Sequence, residues 1–95
     1  MPDLYKFNKN VIARYESHIE DGMYFLFNIQ KNEYWMGNTS SYVLLNNFRH
    51  KNSIEKVIEE NIEYFDIDKN SVENTMKGMV EDLVKKGFMD KYDSE

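Results

Sequence analysis

From Val11 to Ser17 the chain alternates, with Val11, Ala13 and Tyr15 on one side and Ile12, Arg14 and Glu16 on the other. That period of two is the pattern of a half-buried strand. Asp21-Gly22 supplies a turn, because glycine accepts positive φ at no steric cost. Met23 to Ile29 is nearly all apolar through Phe27, which predicts a central strand covered on both faces. Gln30-Lys31-Asn32 turns the chain again, and Glu33-Tyr34-Trp35-Met36 makes a short third strand. The simplest arrangement is a three-stranded meander that leaves the third strand at an edge.

The period then changes to that of helices. Gly37-Asn38-Thr39-Ser40 offers N-caps for a first helix running to about Arg49, with Leu44, Leu45 and Phe48 facing the core. Asn52 or Ser53 caps a second helix carrying Ile54, Val57, Ile58 and Ile62. Asp68 caps a third, where its carboxylate accepts from free N–H groups and suits the positive end of the helix dipole. On that helix Val72, Met76, Met79, Val80 and Leu83 form one stripe. The pairs Glu73–Lys77, Glu81–Lys85 and Asp82–Lys86 add acid-before-base support at a spacing of four. Gly87 ends the helix as a left-handed residue, and Phe88 and Met89 tuck under it. Residues 1–9, without a clear period, read as a flexible N-terminal arm. Residues 10–91 form the domain, and 92–95 a frayed tail. The fold class expected is α+β, a three-stranded antiparallel sheet followed by three helices.

Ninety-five residues support one modest core. Fifteen per cent of them are aromatic, so rings supply much of the folding force. The formal charge of −5 argues against nucleic acid, whose binding depends on neutralising phosphates with Lys and Arg. The chain has no cysteine, its N-terminus lacks an apolar signal core, and no run approaches the roughly 20 apolar residues of a membrane span. A soluble cytoplasmic protein without membrane contact is the expectation.

Chemistry is hard to find. Asp66-x-Asp68-x-Asn70 resembles the opening of a calcium loop, but Ser71 and Lys77 stand where that loop needs glycine and a bidentate glutamate. Capping is the better account. His18 and His50 are isolated, so no metal site is expected. No phosphate loop and no nucleophile context occurs, which leaves enzyme activity and cofactors without support. What remains is the edge strand with Tyr34 and Trp35. An edge strand shows unpaired backbone groups and can accept an added peptide strand. If the third helix packs beside it, Met76, Met79 and Leu83 line one wall of a groove, although such a stripe is more often ordinary core.

Taken in order, Ser53-Ile54-Glu55-Lys56-Val57-Ile58, Phe65-Asp66-Ile67-Asp68, and Val72…Met76…Met79-Val80…Leu83…Lys86-Gly87-Phe88 resemble the PqqD-like family. Upstream, Tyr34-x-Met36-x-x-Thr39-Ser40 is similar to that family's join between third strand and first helix. The resemblance spans about residues 10–90, with departures at Gly37, Ser40, Leu44 and Lys69. It implies a winged-helix-like RiPP recognition element, a domain that binds the leader segment of a ribosomally made precursor peptide. The leader in that family adds along the third strand and packs against the third helix. By position this implicates Tyr34, Trp35, Met36, Thr75, Met76, Met79 and Leu83, with Asp82 and Lys86 as polar rim contacts. The implied partner is a separate maturation enzyme: a radical SAM enzyme, a leader peptidase or a cyclodehydratase. The alternatives are a winged-helix DNA-binding regulator and a small structural subunit that pairs its edge strand with a second copy as a homodimer.

Overall fold

The computed structural model describes residues 3–92, which form five strands and three α-helices. Strand β1 spans Leu4–Phe7, β2 Val11–Glu16, β3 Met23–Asn28 and β4 Glu33–Gly37. Helix α1 spans Thr39–Leu45 and continues as a 3₁₀ turn over Asn46–Arg49. Helix α2 spans Ile54–Asn61, with Ile62 in a 3₁₀ turn beyond it, and α3 spans Lys69–Lys85. Strand β5, Met89–Tyr92, closes the chain.

The architecture is α+β, but the sheet topology differs from three strands followed by three helices. The strands form two sheets, a β2-β3-β4 meander and a separate β1-β5 pair. The expected N-terminal arm is therefore a strand over residues 4–7, in register from Leu4 opposite Tyr92 to Phe7 opposite Met89. Tyr92 belongs to that strand pair and not to a frayed tail. Residues 1, 2 and 93–95 lie outside the described residues. The pairing has physical reasons that a short segment hides. Phe7 is buried, the Tyr5 ring meets Phe48 edge-on at 6.3 Å, and Tyr5 also exchanges backbone hydrogen bonds with Asn52. Asn8 Nδ2 donates to Asp90 at 3.2 Å, and Lys91 pairs with Asp3 at 3.3 Å.

Each helix starts where its cap residue predicts. The side chains of Asn38, Ser53 and Asp68 accept from the N–H groups of Ser41, Lys56 and Ser71. At the end of α3, Gly87 has φ +86°, and Gly87 N–H and Phe88 N–H reach back to Val84 and Leu83. The core lies on the side of the meander that carries Tyr24, Leu26 and Asn28, against Leu45, Phe48, Val57, Ile58, Val80 and Leu83. Tyrosines tie α1 to this sheet: Tyr15 stacks on Tyr42 at 4.0 Å, Tyr24 meets Tyr42 edge-on, and the Tyr24 hydroxyl donates to Asn46 Oδ1. Burial raises the Tyr24 phenol pKa, so it stays a neutral donor.

Strand β3 is not covered on both faces. Its alternate residues Met23, Phe25 and Phe27 face away from the core and are only half-buried. An unbroken apolar run reads as a two-sided strand, whereas here three aromatic or thioether side chains lie half-buried on an open face.

Bonds from the Ser71 N–H and hydroxyl hold the exposed Asp68 carboxyl below its ordinary pKa. Its folded value thus lies below its unfolded value. The cap contributes fully above the unfolded carboxylate range and is lost as pH falls through the folded value. Acidification should therefore fray the first turn of α3. Asp68→Asn, which caps without titrating, should remove that part of the pH dependence, read as amide exchange at residues 69–72 across the acid range.

Candidate functional site

Strand β4 pairs with β3 on one side, and among the described residues no strand pairs with its other side. On β2, at the opposite edge, Arg49 Nη2 donates to the Ala13 carbonyl. The free β4 edge thus offers main-chain donors and acceptors to an added strand.

Helix α3 is tied to both ends of β4, its end to the β3–β4 turn and its middle to the start of α1. At the start of β4, the buried Asn28 amide donates to the Gly87 carbonyl at 3.0 Å, and its oxygen accepts from Gln30 and Lys31 N–H. Lys31 Nζ reaches the Lys86 carbonyl at 3.3 Å. Asn28 therefore both shapes the β3–β4 turn and fastens it to the end of α3. Its place at the end of β3 suits an Asn that caps a turn, but nothing in the sequence signals the bond to Gly87. Asn28→Leu leaves the Gly87 carbonyl and two turn N–H groups without their partner, a cost of about 1–3 kcal/mol. Urea unfolding should register that loss, and the distance between β4 and α3 should loosen with it.

At the other end of β4 the contact passes through Gly37. A Cβ there would stand 2.7 Å from Trp35 Cη2 and 2.8 Å from the Ser41 side chain, so the Trp35 indole lies across position 37. Ser41 Oγ in turn lies 3.9 Å from Met79 Sδ. Ser41 thus stands between the Gly37 end of the strand, where Trp35 lies, and Met79 on the helix. Beyond it opens a pocket of about 230 Å³ lined by Asn38, Ser40, Ser41, Leu44, Phe65, Ile67, Val72, Thr75 and Met79. Its lining combines apolar walls with short hydroxyl and amide groups, and none of these side chains ionises near neutral pH. Such a lining can accept an apolar side chain and hydrogen-bond a neighbouring backbone, but it offers no acid–base pair. Among the described residues no group of three or more His, Cys, Asp or Glu could hold a metal ion. No helix among them is long and apolar enough to cross a membrane.

The structure sorts the expected site residues into four groups. Thr75 and Met79 line the pocket, and Trp35 faces the same side from β4. Tyr34 and Met36 are on the exposed strand but point to the opposite face, being paired with outward-facing Phe27 and Phe25. Met76 and Leu83 are corrections: both are 0% exposed and belong to the core, so neither lines a groove. They occupy the α3 stripe with Val72 and Val80, while Met79 sits one step round the helix at the stripe's border. Asp82 and Lys86 pair with each other at 3.1 Å near the Lys31 end, away from the pocket.

Residues not anticipated as site members are Asn38, Ser40, Ser41, Phe65 and Ile67, together with Leu44 and Val72, which were expected only as core. A signal for two of them exists in the sequence. Phe65 and Ile67 flank the Asp68 cap outside any helical stripe, so no helix face accounts for them; in the structure Ile67 is 58% exposed.

No protein-family model and no curated protein matches the chain. A solved structure does: "TbiB1 in Complex with the TbiA(beta) Leader Peptide" superposes with a TM-score of 0.75 at 17% identity, over 94% of this chain and 99% of that one. At that identity the likeness establishes a shared fold across nearly the whole of both chains.

Proposed function

We propose that this chain is a RiPP recognition element of the PqqD-like kind. It binds the leader of a ribosomally made precursor as a strand added to β4, without catalysis of its own. The observation that carries the reading is the unpaired β4 edge lying beside an apolar pocket on α3. Backbone bonds along β4 supply affinity for any extended chain, and the Met79 pocket selects a side chain from it. The likeness in fold to a protein solved with its leader peptide supports the same direction. The role is recruitment, in the cytoplasm, for a separate maturation enzyme. Holding the leader raises the local concentration of the attached core peptide at that enzyme, which gains orders of magnitude without new chemistry.

The DNA-binding alternative fares worse. Lys77, Lys85 and Lys86 on α3 stand among Glu73, Glu81 and Asp82, and two of the lysines are engaged by acids, Lys77 by Glu73 and Lys86 by Asp82. The test is fluorescence anisotropy with a labelled leader from a precursor encoded beside this gene, its scrambled version, and duplex DNA. Saturable binding of the leader alone is expected. Salt-sensitive binding of DNA without leader binding reverses the reading.

A further inference from the structure

The site on α3 uses one face of the β2-β3-β4 sheet, and the other face is apolar as well. Two cross-strand rows lie on it, Ile12–Phe27–Tyr34 and Arg14–Phe25–Met36. Ile12 is 58%, Tyr34 67% and Met36 49% exposed, so no layer covers the face. Scattered surface apolar residues need no explanation, but five in two adjacent rows form a patch of the kind that marks contact.

A second copy stacked face to face fits poorly. Three strands of about six residues present only about 300 Å², well short of the ~800 Å² per partner of a standard stable interface. Continuity with the β4 edge points to a different occupant. A strand added to β4 obeys the same pleat as β4, so its side chains alternate between the two faces of the sheet. One phase faces the Met79 pocket. The other must lie on the open face, directly beside Tyr34 and Met36.

We propose that Tyr34 and Met36 form a second specificity row, which reads the leader side chains that point away from α3. This rests on the leader-binding reading above. It names the ligand more closely: an extended segment apolar at successive positions, rather than one alternating apolar with charged. An acidic outward side chain would gain nothing from these neighbours and a basic one only a cation–π contact with Tyr34, whereas an aromatic or β-branched one forms a favourable cross-strand pair with each.

The test uses a phage-displayed library of randomised twelve-residue peptides, selected on the intact wild-type chain. The same peptides are then measured against Met79→Asp and against the double variant Tyr34→Thr/Met36→Thr, whose threonines preserve strand propensity. Selected peptides should carry apolar residues in both phases, lose binding to Met79→Asp, and bind the double variant roughly tenfold more weakly. Serine at the outward phase of a selected peptide should weaken wild-type binding by a similar factor and leave binding to the double variant unchanged. The second row is overturned if selected peptides need Met79 but alternate in polarity, or bind the double variant as tightly as wild type. If no peptide is enriched, or binding ignores Met79→Asp, the leader reading itself fails and the second row with it. Equal melting temperatures for wild type and the double variant separate lost contact from lost fold.

Discussion

Met79→Asp is expected to weaken leader binding at least about 100-fold while the chain stays folded. The side chain sits at the border between the core stripe and the pocket, partly open, with its sulfur 3.9 Å from Ser41 Oγ. In the free protein an aspartate there keeps water on its carboxylate, so the folding cost is limited to lost packing and a modest loss of helix propensity. An apolar leader side chain entering the pocket would strip that water away. The pocket lining offers only a few neutral hydroxyl and amide groups and no cation in exchange. Burying a poorly compensated charge costs several kcal/mol, and about 2.8 kcal/mol already corresponds to 100-fold in affinity. Met79→Leu, which conserves volume, should bind within a few-fold of wild type. Anisotropy titrations of the three proteins, with circular dichroism to confirm folding, decide the matter. Unchanged affinity in a folded aspartate variant removes the pocket from the site.

The reach of the sequence toward this fold and site was uneven for reasons that can be located. The caps at Asn38, Ser53 and Asp68 and the stop at Gly87 were legible because each depends on a few adjacent residues. The β1-β5 pair was not, because four-residue strands at opposite ends of the chain carry too little periodicity to declare a partner. Its determinants are a buried Phe7 and the bridge from Tyr5 to Asn52, both visible only in three dimensions. The open face of β3 was hidden for the opposite reason. Its pattern is too strong, and an apolar run signals burial even where the outward ring faces remain half in water. The site divides in the same way. The edge position of β4 follows from its place at the end of the meander, whereas the pocket depends on how far α3 is rotated, and a stripe of five apolar residues cannot say which of them lies at its border.

That rotation makes the fate of Leu83 the complement of the Met79 result. Leu83→Ala is expected to cost about 2–5 kcal/mol of stability and to leave leader affinity within about twofold at temperatures where the chain is folded. Leu83 is fully buried with Met76, Val80 and Phe88, and none of these four lines the pocket. Its truncation removes methyl groups from a packed core that can close over the gap only in part. A domain of this size has a total stability of roughly 5–14 kcal/mol, so the variant stays folded at room temperature unless the largest loss meets the smallest total. Its melting temperature should fall by about 10 °C or more, at roughly 4–8 °C per kcal/mol. Thermal unfolding with anisotropy below the transition separates the two effects. A Leu83→Ala protein that melts like wild type but no longer binds would place this residue back in the groove wall and turn α3 by nearly half a helical face. The expected outcome is the reverse: Leu83 reports on folding, Met79 on binding, and the border between them runs along one side of a single helix.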